Sequence, residues 1–227
     1  MLQVSAELLQ LGLSTSVVVA RGVDNSRTPP ELMAYRREVG RQLGTYWKNR
    51  SLSSHPVFQE YERVHRGFGV ADVPAAPASI LRYVRRHLDF TAAGAVVDAY
   101  NIASAKTLLS IGAHDLDKLK TPVTLRRVEA KDVFIPLDEA SPLSCEGEYA
   151  YVDPEGRIIC RLEVLQGDSS KVEAKSRDIV FFLQGNASLP AQDLLAGSWL
   201  LAELVETFCG GKAELVDLIE ARAGSQA

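Results

Sequence analysis

The residues whose types and spacing could do chemistry gather in one stretch, "VVDAYNIASAKTLLSIGAHDLDKL", Val96 to Leu119. Asn101 falls among apolar neighbours there. A buried asparagine must satisfy both an acceptor and an NH2 group, so it either pins an adjacent loop or faces a ligand. Gly112 is predicted to end a helix, and the following "AHDLDKL" reads as a turn. In that turn Leu116 and Leu119 go inward, and Asp115 and Asp117 bond exposed backbone amides. Familiar catalytic signatures are missing from the sequence: no G-x-x-x-x-G-K-[ST], no G-x-G-x-x-G after a strand, no H-E-x-x-H and no G-x-S-x-G. The four histidines (His55, His65, His87, His114) are scattered, so no metal site and no cofactor is expected. Cys145, Cys160 and Cys209 lie far apart without a C-x-x-C pair, which argues for a reducing compartment and against a disulfide framework.

The elements that must position these residues change character along the chain. "LSTSVVVARGV", residues 13 to 23, is β-branched and reads as a buried strand. Thr28, Pro29 and Glu31 have the pattern of a helix start, and Leu32, Tyr35, Val39, Leu43 and Tyr46 follow at helical spacing. Further helices are predicted over about 56–66 and 78–88, the latter with Leu81, Val84 and Leu88 inward and Arg82, Arg85 and Arg86 outward. After residue 119 the period becomes alternating. "EYAYV", the turn "DPEG" and "RIICRLEV" make a hairpin, with Ile158, Cys160, Leu162 and Val164 on one face and Arg157, Ile159, Arg161 and Glu163 on the other. "DIVFFLQG" reads as a strand buried on both faces. Ser188 and Pro190 open an amphipathic helix closed by Gly210 and Gly211; a short helix from about Ala213 to Ala221 follows, so C-terminal helices span 190–222, and the final "GSQA" is expected to fray. The expected class is α+β, with helices packed on a mainly antiparallel sheet as one domain of two interleaved modules over 1–227.

The net charge of −4 conceals an asymmetry. Arg36 to His87 contains ten Lys/Arg against four acids, a local charge of +6, which leaves −10 on the remainder. A basic lobe on an acidic protein suits a polyanion partner, although solvated helix faces give the same count. No apolar run approaches the ~20 residues that span a bilayer. The N-terminal "MLQVSAELLQLG" lacks a basic region and carries Glu7, so the expected location is the cytoplasm, without membrane association.

The stretch 96–119, followed by a strand, resembles the core of the tRNA-editing domain in the beta subunit of phenylalanyl-tRNA synthetase and its free-standing relatives. There a V-D-x-x-N segment precedes a helix, a tight turn and D-L-D-K-L. "GEYAYVDPEGRIICR" and "GDSSKVEAKSRDIVFFLQG" fit the same template, so the resemblance covers about residues 60–185. It implies a trans-acting aminoacyl-tRNA deacylase, a hydrolase that cleaves the ester of a misacylated tRNA in translation quality control. The partner implied is the misacylated 3′ end of tRNA, not DNA. The ester would lie between two modules, attacked by water while backbone amides polarise its carbonyl and a ribose hydroxyl helps move the proton.

The resemblance has departures. The family's turn histidine is Gly112 here, and His114 replaces an aromatic two positions later. The glutamate that recognises a tyrosine hydroxyl is implied to fall near the end of "DIVFFLQG", where Gln184 is the nearest polar residue. A different amino acid from tyrosine is therefore expected. On this template His114 contacts the substrate or packs as a ring, and is the one catalytic candidate. Gln184 sets side-chain specificity or closes a strand edge. Glu148 binds an α-ammonium or is solvated. Asn101, Gly112 and Asp115 complete the expected pocket. Lys48 and Arg50, beside Tyr46 and Trp47, together with Arg82, Arg85 and Arg86, would hold tRNA phosphates. The alternative is a non-catalytic module that keeps the pocket and holds tRNA or an amino-acid-like ligand.

Overall fold

A computed structural model describes residues 1–221. The chain runs β1 (Leu2–Val4), α1 (Ala6–Gln10), β2 (Ser14–Arg21), α2 (Pro30–Trp47), α3 (Pro56–Gly67), α4 (Ala76–His87), α5 (Ala95–Thr107), β3 (Ser110–Asp115), β4 (Val123–Arg127), β5 (Tyr149–Val152), β6 (Ile158–Arg161), β7 (Leu165–Gln166), a 3-10 turn (Asp168–Ser170), β8 (Ile179–Gly185), α6 (Ala191–Cys209) and β9 (Lys212–Ile219). The α+β class is as expected. Two sheets form, one in the order β3-β8-β2-β9 and one in the order β1-β4-β5-β6-β7. Every pairing is antiparallel except β1 with β4.

The first sheet is a layer with a different neighbour on each face, and the strand period of two decides which residue meets which. Ile179, Phe181 and Leu183 of β8 and Ile111 and Ala113 of β3 join the helical core built from α2 to α6. Val180 and Phe182, with Val17 and Val19, pack instead with Leu125, Tyr149, Tyr151, Ile159 and Cys160 of the second sheet. All seven residues of β8 are buried, as its unbroken apolar run predicts.

Several expectations are corrected. Helix α5 stops at Thr107 with Leu108 left-handed as its cap, and Gly112 lies in strand β3, not at a helix end. The buried polar side chains of α5 are Asp98 and Ser104, whereas Asn101 is half-buried. Helix α2 begins one residue late: Pro30 holds Pro29 extended (φ −63, ψ 146), so Pro29 is the cap. Leu88 is left-handed at the end of α4 and 45% exposed, not inward. The β6 alternation breaks at a register shift opposite Tyr151/Val152, and the strand ends before Leu162, which has φ 53. Residues 212–219 are strand β9, not a helix, because the edge of β2 is open to pair with them. The "GSQA" tail lies outside the described residues.

Helices α2 and α4 meet closely through Gly40 and Gly44. A Cβ on Gly40 would come within 2.6 Å of the Asp89 Cα. That approach sets the end of α2, with Lys48, beside the arginines of α4.

Candidate functional site

Strand β3 assembles the site. Ser110, Gly112 and His114 alternate onto the face turned toward the second sheet, and Phe182 joins them from β8. Together with Tyr151, Cys160 and Glu163 these residues enclose a chamber of about 10 Å³, room for about one water. Two of its polar atoms, His114 Nε2 and Ser110 Oγ, are buried without a protein partner among the described residues.

The His114 ring is fixed from behind. Ser170 Oγ lies 2.8 Å and Gln166 Nε2 3.1 Å from its Nδ1. Gln166 Nε2 also donates to the Ala113 carbonyl at 2.6 Å, which fixes the orientation of the amide. An amide nitrogen only donates, so Nδ1 accepts, and the ring proton sits on Nε2, pointing into the chamber. Burial pushes the His114 pKa down to about 3, so the ring is a neutral donor at pH 7. Cys160 has its thiol pushed up by burial and by Glu163, which leaves it unreactive.

A second polar cluster adjoins the chamber. His65 of α3 donates from Nδ1 to the Val73 carbonyl (3.0 Å), and its Nε2 lies 3.0 Å from both Glu163 oxygens. Tyr149 donates to Glu163, and Tyr151 donates to Gln184 Oε1 at 2.9 Å. Tyr61 donates to the Gln184 carbonyl at 2.6 Å and accepts from the Ser110 amide at 3.2 Å, tying α3 to both strands. Burial disfavours charge on His65, but the Glu163 carboxylate outweighs it and raises the pKa. Sequence reasoning missed His65, Glu163, Ser110 and Gln166. A buried glutamate does stand beside Gln184, but it arrives from the turn after β6, not from β8.

The two histidines predict a stability profile. The depressed His114 group contributes stability that is complete above its unfolded pKa of about 6.5 and lost as pH falls toward 3, at up to about 1.4 kcal/mol per pH unit. His65 has the opposite sign and its own window: its contribution is complete below about 6.5 and lost as pH rises through its raised folded value. Urea unfolding across pH 4–6.5 should therefore show a slope that His114→Phe flattens, and a slope unchanged by that substitution would contradict the assignment.

A larger cleft runs along the open edge of β3. It measures about 440 Å³ and is lined by Val97 and Tyr100 of α5, Ala113, Leu137 and Asp138, Gln166, and Lys171 to Glu173. Because the Ala113 carbonyl turns outward to Gln166, its N–H faces the same edge. Gln166 lines this cleft, and its Oε1 lies 3.9 Å from where a Cβ would sit on Gly112, a residue of the chamber wall.

The other expected site residues are dispersed. Asn101 lines neither space. Glu148 is held by Arg161 at 2.5 and 2.8 Å, and thus is occupied, not poised for an ammonium group. Asp115 accepts from the Asp117 amide (3.1 Å) and from Ser176 Oγ (2.5 Å), which makes it a turn-former. Lys48, Arg82, Arg85 and Arg86 do come together around one surface groove, and Arg50 joins Lys48, Arg82 and Arg85 at the adjoining one. Among the described residues none of Lys48, Arg82, Arg85 and Arg86 forms an ion pair, whereas Arg41, Arg63 and Arg66 nearby all do. Arg50 stacks over Tyr46, 4.1 Å from the ring centre. No described helix is long and apolar enough to cross a membrane. Among the described residues no cluster of three or more His, Cys, Asp or Glu could hold a metal ion.

Comparison with known proteins adds the lineage. A family model described as the B3/4 domain matches residues 66–189. The phenylalanine–tRNA ligase beta subunit of Pyrobaculum aerophilum is 25% identical over 128 residues, covering 48% of this chain and 24% of that subunit. Among solved structures, an N-terminal fragment of the phenylalanyl-tRNA synthetase beta-subunit from Pyrococcus horikoshii superposes with a TM-score of 0.50 at 13% identity, over 98% of this chain and 54% of that fragment. That likeness concerns the fold. The chain thus spans about a quarter of the curated relative and about half of the solved fragment.

Proposed function

Because this chain belongs to the B3/4 domain family and is related to the beta subunit of phenylalanyl-tRNA synthetase, we propose that it is a trans-acting aminoacyl-tRNA deacylase, with the aminoacyl ester lying in the cleft along β3. The observation that carries this reading is the cleft itself. It has the volume of a small-ligand site, apolar walls from Val97, Tyr100, Leu137 and Val172, and the outward Ala113 amide as a donor for the ester carbonyl. Lys171, Asp138 and Glu173 also line it and are engaged in ion pairs, Lys171 with Asp138 (3.3 Å) and Asp168 (2.8 Å) and Glu173 with Lys118 (2.6 Å). The expected pocket of Asn101, His114 and Gln184 gives way in this reading, since Asn101 is not among the residues lining the cleft or the chamber and the His114 chamber takes nothing larger than a water. The unpaired cations at the end of α2 and on α4 would hold RNA phosphates, and a cytoplasmic location suits that partner.

Purified protein should hydrolyse at least one member of a panel of misacylated tRNAs well above the spontaneous rate. If the whole panel decays at the buffer rate, the deacylase reading is lost.

A second reading has one observation in its favour: the catalytic candidate His114 lines the water-sized chamber and not the cleft. On that reading the chain binds tRNA or an amino-acid-like ligand without chemistry. Salt-sensitive retention of tRNA with no deacylation would select it.

A further inference from the structure

The unpartnered atoms of the buried chamber call for an occupant. A buried polar group without a hydrogen bond costs on the order of 1–3 kcal/mol, and the chamber has two such groups, one on each side of Gly112 in β3. His114 Nε2 carries a proton, as its Nδ1 contacts dictate, so it offers a donor. Ser110 Oγ both donates and accepts. The space they line has the volume of one water. Gln166, carried on the two-residue strand β7 and half-buried, lines the cleft, and its Oε1 lies 3.9 Å from where a Gly112 Cβ would enter the chamber.

We propose that this chamber is a binding site for one water molecule, held between His114 Nε2–H and Ser110 Oγ, and that this water passes the Gln166 side chain into the cleft as the nucleophile of ester hydrolysis. The inference rests on the deacylase reading for its chemical step, but the water site stands on its own geometry. In the step, the water oxygen bonds to the ester carbonyl carbon and the bond from that carbon to the ribose oxygen breaks. One water proton ends on the leaving ribose oxygen, and the products are the free amino acid and a tRNA with its hydroxyl restored. His114 and Ser110 are positioning residues in this scheme: they hold the water and exchange no proton.

Gly112 supplies the test. A Cβ built there meets His114 Nε2 at 3.5 Å and Gln166 Oε1 at 3.9 Å, both ordinary contact distances, so Gly112→Ala places a methyl in the chamber without overlap. High-resolution crystal structures are expected to show an ordered oxygen within hydrogen-bond distance of His114 Nε2 and Ser110 Oγ in the wild type and none in Gly112→Ala. Turnover of a misacylated tRNA should then fall about 100-fold in kcat with KM unchanged, the size of effect expected when a reacting group is displaced. Ser110→Ala, which removes one partner and fills nothing, should weaken the ordered oxygen and lower kcat less. A wild-type chamber without an ordered oxygen overturns the site. A Gly112→Ala protein that loses the oxygen and keeps kcat overturns the nucleophile role. A wild type that holds the water but hydrolyses no tested tRNA overturns the deacylase reading and the nucleophile role with it, while the water site itself is upheld.

Discussion

Asp98→Ala is expected to lower the unfolding free energy by about 3–5 kcal/mol, the loss typical of removing one member of a buried ion pair. Asp98 is fully buried on α5 and takes Arg36 Nη1 at 2.7 Å and the Ala93 amide at 3.0 Å. Arg36 on α2 is itself buried, and its remaining partner, Asp89 at 3.1 Å, meets only Nε. Without Asp98, a guanidinium would be left in the helical core short of a counter-charge, and the Ala93 amide would lose its acceptor. Urea unfolding monitored by circular dichroism measures the change. A loss below about 1 kcal/mol would show that Asp89 holds Arg36 unaided. The cleft along β3 should suffer with the fold, because α5 carries Val97 and Tyr100 on its wall.

The double substitution Arg82→Glu with Arg85→Glu should reduce affinity for unacylated tRNA about tenfold or more. It should also make the dependence of log affinity on log salt shallower by about 2, since two phosphate contacts are lost. The physical ground is the contrast on this surface. Arg41, Arg63 and Arg66 already have carboxylate partners at 2.6 to 2.7 Å, whereas Arg82 and Arg85 form no ion pair among the described residues. Unpartnered cations held together by the α2–α4 contact repel one another until an anion arrives. Lys131→Glu, on a remote loop where Lys131 pairs with Glu129, is the control and should leave the salt slope unchanged. Equal slopes for the double variant and the wild type would move the RNA surface elsewhere.

What sequence reading recovered and what it missed divide along physical lines. The "DPEG" turn announced the β5–β6 hairpin because proline and glycine punctuate locally, and the apolar run of β8 announced a doubly covered strand. The arginines of the cation cluster on α4 were visible because they lie on one helix surface whose period is strong. Helix α5, by contrast, is small and apolar almost all round, so periodicity could not tell that Asp98, not Asn101, points inward. Strand β9 reads "KAELVDLI", good helix formers, and its true alternation of exposed and half-buried residues comes from pairing with β2. Gly112 invites reading as a helix stop, but β8 pairs with it and turns the segment into a strand. The His65–Glu163 contact joins residues 98 apart in sequence, and nothing local marks either one. The site was partly legible as a region and hardly at all as a set of partners.

Strand β2 lies between β8 and β9, with Thr15 opposite both Gln184 and Ile219. Both neighbours follow β2 in the chain, β8 from Ile179 and β9 from Lys212, so during synthesis β2 must wait, unpaired and rich in valine, for its sheet. Its apolar edge is then open to other chains, and the nascent polypeptide should depend on chaperones until residue 219 emerges.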